Sequence, residues 1–296
     1  MPSTGNAEGY GIAMLTPANT NNIYQPSSVA QESVPDCVIF PATHSRLTRI
    51  GLLAAAAIVG AGSSYGLAHV TSRPVALWTL VATMTFAGGL LSTWSPCGYS
   101  SLCLLRPHGR YSVASVAGWL PTFAMHGLGY AAGAVVLGTV LGLAGMALGF
   151  SGFSGGALLG LAALAILYGV HQLDFLRIPY PQRRAQVPHD ARQRFPMWVI
   201  GGLYGFALGL NYLTYVQTPV LYVVTAAAAV TGNVALAVAI FAIFNLGRFL
   251  PIAVNLLPVT DIAVQSWLAR RQERAAAFDG VLLVAAGFGF VGLALI

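Results

Sequence analysis

The amino-acid sequence predicts an all-α polytopic membrane protein of about seven transmembrane helices. We expect an N-terminal anchor helix and a 3+3 inverted repeat, with broken helices at Pro96 and Pro219. Three observations predict this fold: the composition, the recurrence of long apolar runs and the placement of the arginines. The chain is 56% hydrophobic and 7% charged, whereas soluble domains are roughly 25% charged. The composition therefore excludes an ordinary soluble domain.

Apolar runs long enough to cross a bilayer, which takes about 20 residues, recur along the chain. They cover residues 49–70, 76–104, 112–148, 153–175, 197–231, 233–257 and 278–296. Proline breaks helices, so the third and fifth runs, which contain Pro121 and Pro219, are predicted to be bent or discontinuous.

The basic residues predict the topology. All 14 are arginines, and if seven helices alternate, all but Arg73 and Arg248 fall on one side. Cytoplasmic loops carry the excess of arginine in membrane proteins, so the N-terminus is expected in the cytoplasm and the C-terminus outside. The net charge of +6 then needs no nucleic acid as a partner; membrane lipids suffice.

Composition divides the chain into five parts. Residues 1–45 are rich in Ser, Thr, Asn, Pro and Gly, and we expect a disordered cytoplasmic tail without a signal peptide. Residues 46–75 form the anchor helix, and residues 76–176 the first three-helix repeat. Residues 177–196 are an arginine-rich cytoplasmic loop, and residues 197–296 form the second repeat, inserted in the opposite orientation.

The repeat is predicted from two pairs of similar segments. "GGLLSTWSPCGYSSL" resembles "ALGLNYLTYVQTPVL", and "HGLGYAAG" resembles "FNLGRFLP". In inverted repeats, broken helices meet near the midplane and form a site. The residues predicted to line this cavity are Ser95, Pro96, Ser100, His126, Tyr212, Gln217 and Pro219.

The first break has two interpretations. Pro96 frees a backbone carbonyl, Ser95 and Ser100 can satisfy backbone groups, and Cys97 would be offered at the break. Alternatively, Pro96 is an ordinary kink and Cys97 a small buried filler. His126 could lie beside Cys97 and alter its thiolate fraction, or could be a hydrogen-bonded packing histidine.

At "SPC" and at "QTPVLYVVTAAAAVTGN…FAIFNLGRFLPIAVN", the sequence resembles the DsbD/CcdA family of membrane thiol-disulfide carriers, over roughly residues 80–296. The resemblance implies that Cys97 is the first of two redox cysteines. The second would fall at Val216, and no cysteine follows Cys103. Cys97 and Cys103 are therefore the candidate redox pair, although six residues of regular helix would place them on different faces. Cys37 is expected to be incidental.

Within that group, "WSPCGYSSLCLLRP" and the extra N-terminal helix most resemble the membrane proteins of methylamine utilisation. This resemblance implies a bacterial inner-membrane factor that helps to mature periplasmic methylamine dehydrogenase, whose small subunit carries disulfides and a quinone. Its implied partners are that small subunit and accessory proteins, including a thioredoxin-like one. The alternatives are a thiol-disulfide electron carrier that uses Cys97, and a transporter of ions or small molecules.

Two further polar features have a structural interpretation. Arg248 lies within an apolar run and is expected to pair with Asp174 or Asp279. His171 and Asp174 share a helical face, but two residues are weak evidence for a metal. We therefore predict no metal and no cofactor. Enzymatic activity, if present, would be thiol-disulfide exchange.

Overall fold

The computed structural model describes residues 44–95, 98, 101–103, 105–107, 111–178, 195–214 and 218–296. Several predictions lie outside this part of the chain. They concern the tail as far as residue 43, most of the arginine-rich loop, and Pro96, Cys97, Ser100, Val216 and Gln217.

Eight α-helices make up most of the described chain. They are α1 (Arg46–Val70), α2 (Arg73–Leu91), α3 (Val113–Ala147), α4 (Gly155–Gln172), α5 (Met197–Gly209), α6 (Val220–Val230), α7 (Val234–Phe249) and α8 (Asp261–Leu295). Short 3-10 helices, Ser92–Trp94 and Leu250–Leu256, extend α2 and α7. Six of these helical segments are long and apolar enough to cross a membrane, and α5 and α6 are shorter apolar helices. The prediction of an all-α polytopic membrane protein is confirmed.

Local sequence sets where most of these helices begin. The side chains of Ser45, Ser112, Ser154, Asn233 and Thr260 each accept a hydrogen bond from a backbone N–H in the first turn of the helix that follows. These N-caps satisfy amide groups that have no partner within the helix. The polar residues between the apolar runs therefore fix the helix starts.

The short helices α5 and α6 follow one another along α3. Gly205 of α5 packs on the backbone of His126, and Gly145, farther along α3, packs on Ala229 of α6. The two short helices therefore lie one after the other along α3, α5 against its first half and α6 against its end. This arrangement confirms the predicted break near Pro219, because α6 begins at the next residue. In contrast, Pro121 lies inside α3 without interrupting it.

The last helix is longer than the apolar run predicts. It begins at Asp261, not at residue 278, and is 35 residues long. Its first half is polar and arginine-bearing, so hydropathy alone could not place its start. Trp94 donates a hydrogen bond from Nε1 to the carbonyl oxygen of Leu268, at 3.1 Å, and its ring packs on Trp267. The polar half of α8 is thereby fixed to the end of α2.

Candidate functional site

The first interruption of a membrane helix begins where α2 gives way to the 3-10 turn Ser92–Trp94, and serines in and near this turn satisfy much of the backbone. Ser92 Oγ donates to the carbonyl oxygen of Gly89 at 2.6 Å, and Ser95 Oγ donates to that of Ser92 at 2.5 Å. Ser101 Oγ donates to the carbonyl oxygen of Gly98 at 2.8 Å. All three serines are buried. Ser95 thus binds backbone groups at the break, whereas its predicted place in a cavity stays a prediction.

Gly98 shows how tightly the chain turns there. A Cβ atom at this position would lie 2.7 Å from the carbonyl oxygen of Ser92 and 2.8 Å from the Cα of Thr93. Its N–H donates to Ser95 Oγ at 3.2 Å. Gly98 therefore lies directly against the 3-10 turn that follows α2, at a separation that only glycine allows.

Beyond the turn, two side chains from other segments bind the backbone. Asn255 Nδ2 donates to the carbonyl oxygen of Leu102 at 3.1 Å, and Trp119 Nε1 donates to that of Leu105 at 2.7 Å. Cys103 is half-buried and packs against the cluster that contains Trp119. Cys97 lies outside the described residues, so the pairing of Cys97 with Cys103 stays a prediction.

The second interruption lies between α5, which ends at Gly209, and α6, which begins at Val220. It begins after α5 with Asn211, whose φ of 57° is a left-handed conformation that asparagine tolerates better than most residues. It ends at Pro219, which directly precedes α6. Tyr212, a predicted cavity residue, is 36% exposed, and its hydroxyl lies 2.5 Å from Thr225 Oγ1 of α6. Tyr212 therefore ties the break to its own following helix.

A buried polar network from α7 holds the start of this second break. Arg248 is 2% exposed, and its Nη1 donates to the carbonyl oxygen of Leu208 and to Asn211 Oδ1, both at 2.9 Å. Asn211 Nδ2 donates to Asn245 Oδ1 at 3.1 Å. Asn245 Nδ2 donates to the carbonyl oxygens of Tyr130 and Gly209, at 3.0 and 2.9 Å. The network therefore joins α3, α5 and α7.

The predicted ion pair of Arg248 was wrong. Asp174 pairs with Arg49 at 2.8 Å, and Asp279 accepts a hydrogen bond from Thr218. Within the described ranges, no carboxylate lies within 4.0 Å of Arg248. The backbone of the broken helix supplies one acceptor, and an amide side chain supplies the other. The sequence predicted a carboxylate partner because it does not show that α5 ends at Gly209 and so presents the carbonyl oxygen of Leu208 to Arg248.

His126 is a buried contact between α3 and α5. It is 1% exposed, and its Nδ1–H donates to the carbonyl oxygen of Gly201 at 2.8 Å. Its ring lies edge-on to Tyr130 at a centroid distance of 5.0 Å. This geometry matches the predicted packing histidine. Its proposed position beside Cys97 is not tested by the described residues.

Sequence reasoning missed two of the residues that bind the broken segments, Asn245 and Asn255. Each lies in an otherwise apolar stretch, where an asparagine is a signal in itself because an unpaired buried amide is costly. It also missed that Asp279 would reach the end of the second break, where Thr218 Oγ1 donates to its Oδ1 at 2.7 Å. These contacts are tertiary and have no local pattern.

The described residues contain no group of three or more His, Cys, Asp or Glu side chains that could hold a metal ion. The pair that sequence analysis considered is used elsewhere. His171 Nδ1 accepts a hydrogen bond from the N–H of Ile178 at 2.9 Å, and Asp174 pairs with Arg49. Both side chains therefore stabilise the end of α4 and its contact with α1.

No protein-family model matches the chain, and no solved structure matches it. Curated proteins do. The methylamine utilization protein MauF of Paracoccus denitrificans is 63% identical over 269 residues, which cover 91% of this chain and 96% of the relative. MauF of Methylorubrum extorquens is 61% identical, over 92% and 96% of the two chains. MauF of Methylophilus methylotrophus is 55% identical, over 85% and 88%. At this identity and coverage, the chain is a member of the MauF family.

Proposed function

We propose that the protein is an inner-membrane factor of methylamine utilisation that helps to mature periplasmic methylamine dehydrogenase. The observation that carries this proposal is membership of the MauF family over about nine-tenths of the chain. The maturation step follows from the sequence resemblance, which implies a target subunit rich in disulfides and carrying a quinone. The partners would be that small subunit and other accessory proteins of the same system, including a thioredoxin-like one.

The two interrupted helices are the proposed site of action. An inverted repeat would place them as counterparts, and reciprocal glycine contacts support this. A Cβ atom at Gly89 would lie 2.1 Å from the carbonyl oxygen of Phe244, and one at Gly205 would lie 2.1 Å from that of His126. Phe244 and His126 open the similar segments "FNLGR" and "HGLGY". The crossing of α2 with α7 therefore repeats the crossing of α5 with α3.

A second pair of contacts has the same form. Gly129 packs against Gly202 and Phe206, which lie one turn apart on α5. Gly247 packs against Phe86 and Leu90, which lie one turn apart on α2. In each half, the end of one helix, α2 or α5, thus crosses a helix of the other half at glycine residues. The chain enters a polar break directly after each of these crossings. We infer that a partner or substrate group is received between the breaks.

A deletion strain tests the maturation function. Without the protein, we expect methylamine dehydrogenase to lose its activity and quinone content, and growth on methylamine to stop, while growth on an unrelated carbon source continues. Complementation with the intact chain should restore all three properties. Active enzyme with a full quinone content in the deletion strain would contradict the proposal. Normal enzyme together with lost growth would indicate a different step of methylamine utilisation.

The second candidate function is thiol-disulfide exchange at Cys97. The specific observation in its favour is that α2 gives way to the 3-10 turn Ser92–Trp94 just before the segment that carries both cysteines. The described residues between the cysteines, Gly98 and residues 101 and 102, are helical, so the pair would have to form across helical backbone. In this reaction a thiolate of the protein would attack a partner disulfide and form a mixed disulfide. A second thiol would release the partner dithiol, so the partner is reduced by two electrons as the protein's two thiols become a disulfide.

Alkylation of cellular thiols distinguishes the two functions. Cells expressing the intact chain, Cys97→Ser or Cys103→Ser would be treated with a mass-tagged maleimide before and after reduction. A reversible disulfide, or a mixed disulfide trapped in Cys103→Ser, would support exchange. Thiols that always react, in a Cys97→Ser strain that still matures its enzyme, would exclude exchange and leave the maturation function intact.

A further inference from the structure

Asp279 is a buried carboxylate at the end of the second break. It lies on α8 and is 2% exposed. Thr218 Oγ1 donates to its Oδ1 at 2.7 Å, and the N–H of Val220, the first residue of α6, lies 3.3 Å from the same hydroxyl oxygen. The N-terminus of α6 therefore lies close to the carboxylate, where the helix dipole stabilises negative charge.

The other carboxylate oxygen, Oδ2, has no hydrogen-bond partner within the described part of the chain. No arginine or histidine nitrogen of the described residues lies within 4.0 Å of Asp279. Burial of an unpaired carboxylate destabilises the folded protein by roughly several kcal/mol unless the charge is neutralised. The structure therefore contains a buried carboxyl group without a charged partner among the described residues, and one of its oxygens has no hydrogen-bond partner there.

A small cleft lies beside Asp279. It is lined by Leu91, Trp94, Gln172, Thr218, Gln272, Ala275, Ala276 and Asp279, and its volume is about 20 Å³. A space of this size holds about one water molecule or an ion of similar size. Gln172 and Gln272 are partly exposed, so the cleft has a polar route to the surface. Side-chain carbonyl, hydroxyl and carboxylate oxygens are the ligands that hard cations prefer.

We propose that this cleft binds a small monovalent cation through Asp279 Oδ2. The hydroxyl of Thr218 holds the carboxylate in position by binding the other oxygen. Gln172 and Gln272 line the route by which the cation reaches it. The size of the cleft favours an ion as small as sodium and excludes large quaternary ammonium ions. The same chemistry could accept a primary ammonium ion, so the test compares the two.

The experiment uses dicyclohexylcarbodiimide, which modifies protonated carboxyl groups in apolar surroundings. The full chain, purified in detergent, would be treated in choline chloride, in sodium chloride and in methylammonium chloride at equal ionic strength, and the label on Asp279 measured by mass spectrometry. A bound cation keeps the carboxylate deprotonated. At about ten times its dissociation constant, sodium should therefore lower the labelling rate about tenfold relative to choline.

Two variants sharpen the result. In Thr218→Ala the protection should weaken several-fold, because the carboxylate loses the group that positions it. Asp174→Asn removes an exposed carboxylate that pairs with Arg49, and it should leave protection at Asp279 unchanged. Protection by methylammonium but not by sodium would identify the ligand as a primary ammonium ion. Equal labelling in all three salts, or no labelling of Asp279 in choline, would overturn the cation site.

Discussion

The two breaks solve the same problem, an irregular backbone within a membrane, in different ways. In the first break, the hydrogen bonds of Ser92, Ser95 and Ser101 all go to backbone groups three residues away. The second break is held from outside, by Arg248 and Asn245 of α7 and by Asp279 of α8. The start of the first break is thus held by local hydrogen bonds, and only its far end is bound by Asn255 and Trp119. The start and the end of the second break are held mainly by side chains of other helices.

The largest effect is expected from Arg248→Met. This change removes two hydrogen bonds from a charged donor to the second break, and it should lower the free energy of unfolding by about 3 kcal/mol. The measurement is unfolding of the purified protein in mixed micelles with increasing SDS. Arg270→Met, an exposed arginine of α8, is the matched control and should have little effect. Equal stability of the two variants would mean that Arg248 does not hold the break.

Gly98→Ala should have an intermediate effect. The new methyl group would meet backbone atoms of Ser92 and Thr93 that cannot move without opening the first break. Overpacking of this kind costs about 1–3 kcal/mol, which the same unfolding measurement would detect. Gly62→Ala on α1 is the control, because nothing lies within 4 Å of its added Cβ. If both variants were as stable as the intact chain, the tight turn would be absent in solution.

Ser95→Ala should have the smallest effect. It removes the bond to the carbonyl oxygen of Ser92 and the one that Ser95 Oγ accepts from Gly98. Neighbouring serines bind the same short segment, so the loss should be about 1 kcal/mol. Ser63→Ala, which removes a single weaker bond on α1, is the reference. A loss as large as that of Arg248→Met would contradict the local character of the first break.

This difference also explains what the sequence could predict. The serines, Pro96 and Gly98 lie close together in the sequence, so a local break could be predicted from it. The second break was located from Pro219, but its partners were misjudged, because Asn245 and Arg248 are separated from Asn211 by 34 and 37 residues. A carboxylate partner was predicted for Arg248 because buried charges usually pair. Its actual acceptor, the carbonyl oxygen of Leu208, comes close to Arg248 only in the folded chain.

The helices themselves were predictable because long apolar runs and arginine-rich connections are strong signals. The start of α8 was not, since its first half is polar and is held by Trp94 and by the ion pair of Arg106 with Asp261. The inverted repeat stays a prediction. The glycine contacts that support it pair Gly89 with Gly205, a register that the coarse similarity of the two segments did not specify.

A pair of double-mutant cycles tests the central comparison most directly. Asn211→Ala and Arg248→Met remove the two ends of one hydrogen bond, so their unfolding free energies should be non-additive by about 1 kcal/mol or more. Ser95→Ala and Arg248→Met act on different breaks and should add within about 0.5 kcal/mol. Additivity in the first cycle, or strong coupling in the second, would contradict the account of one break held locally and the other held by distant helices.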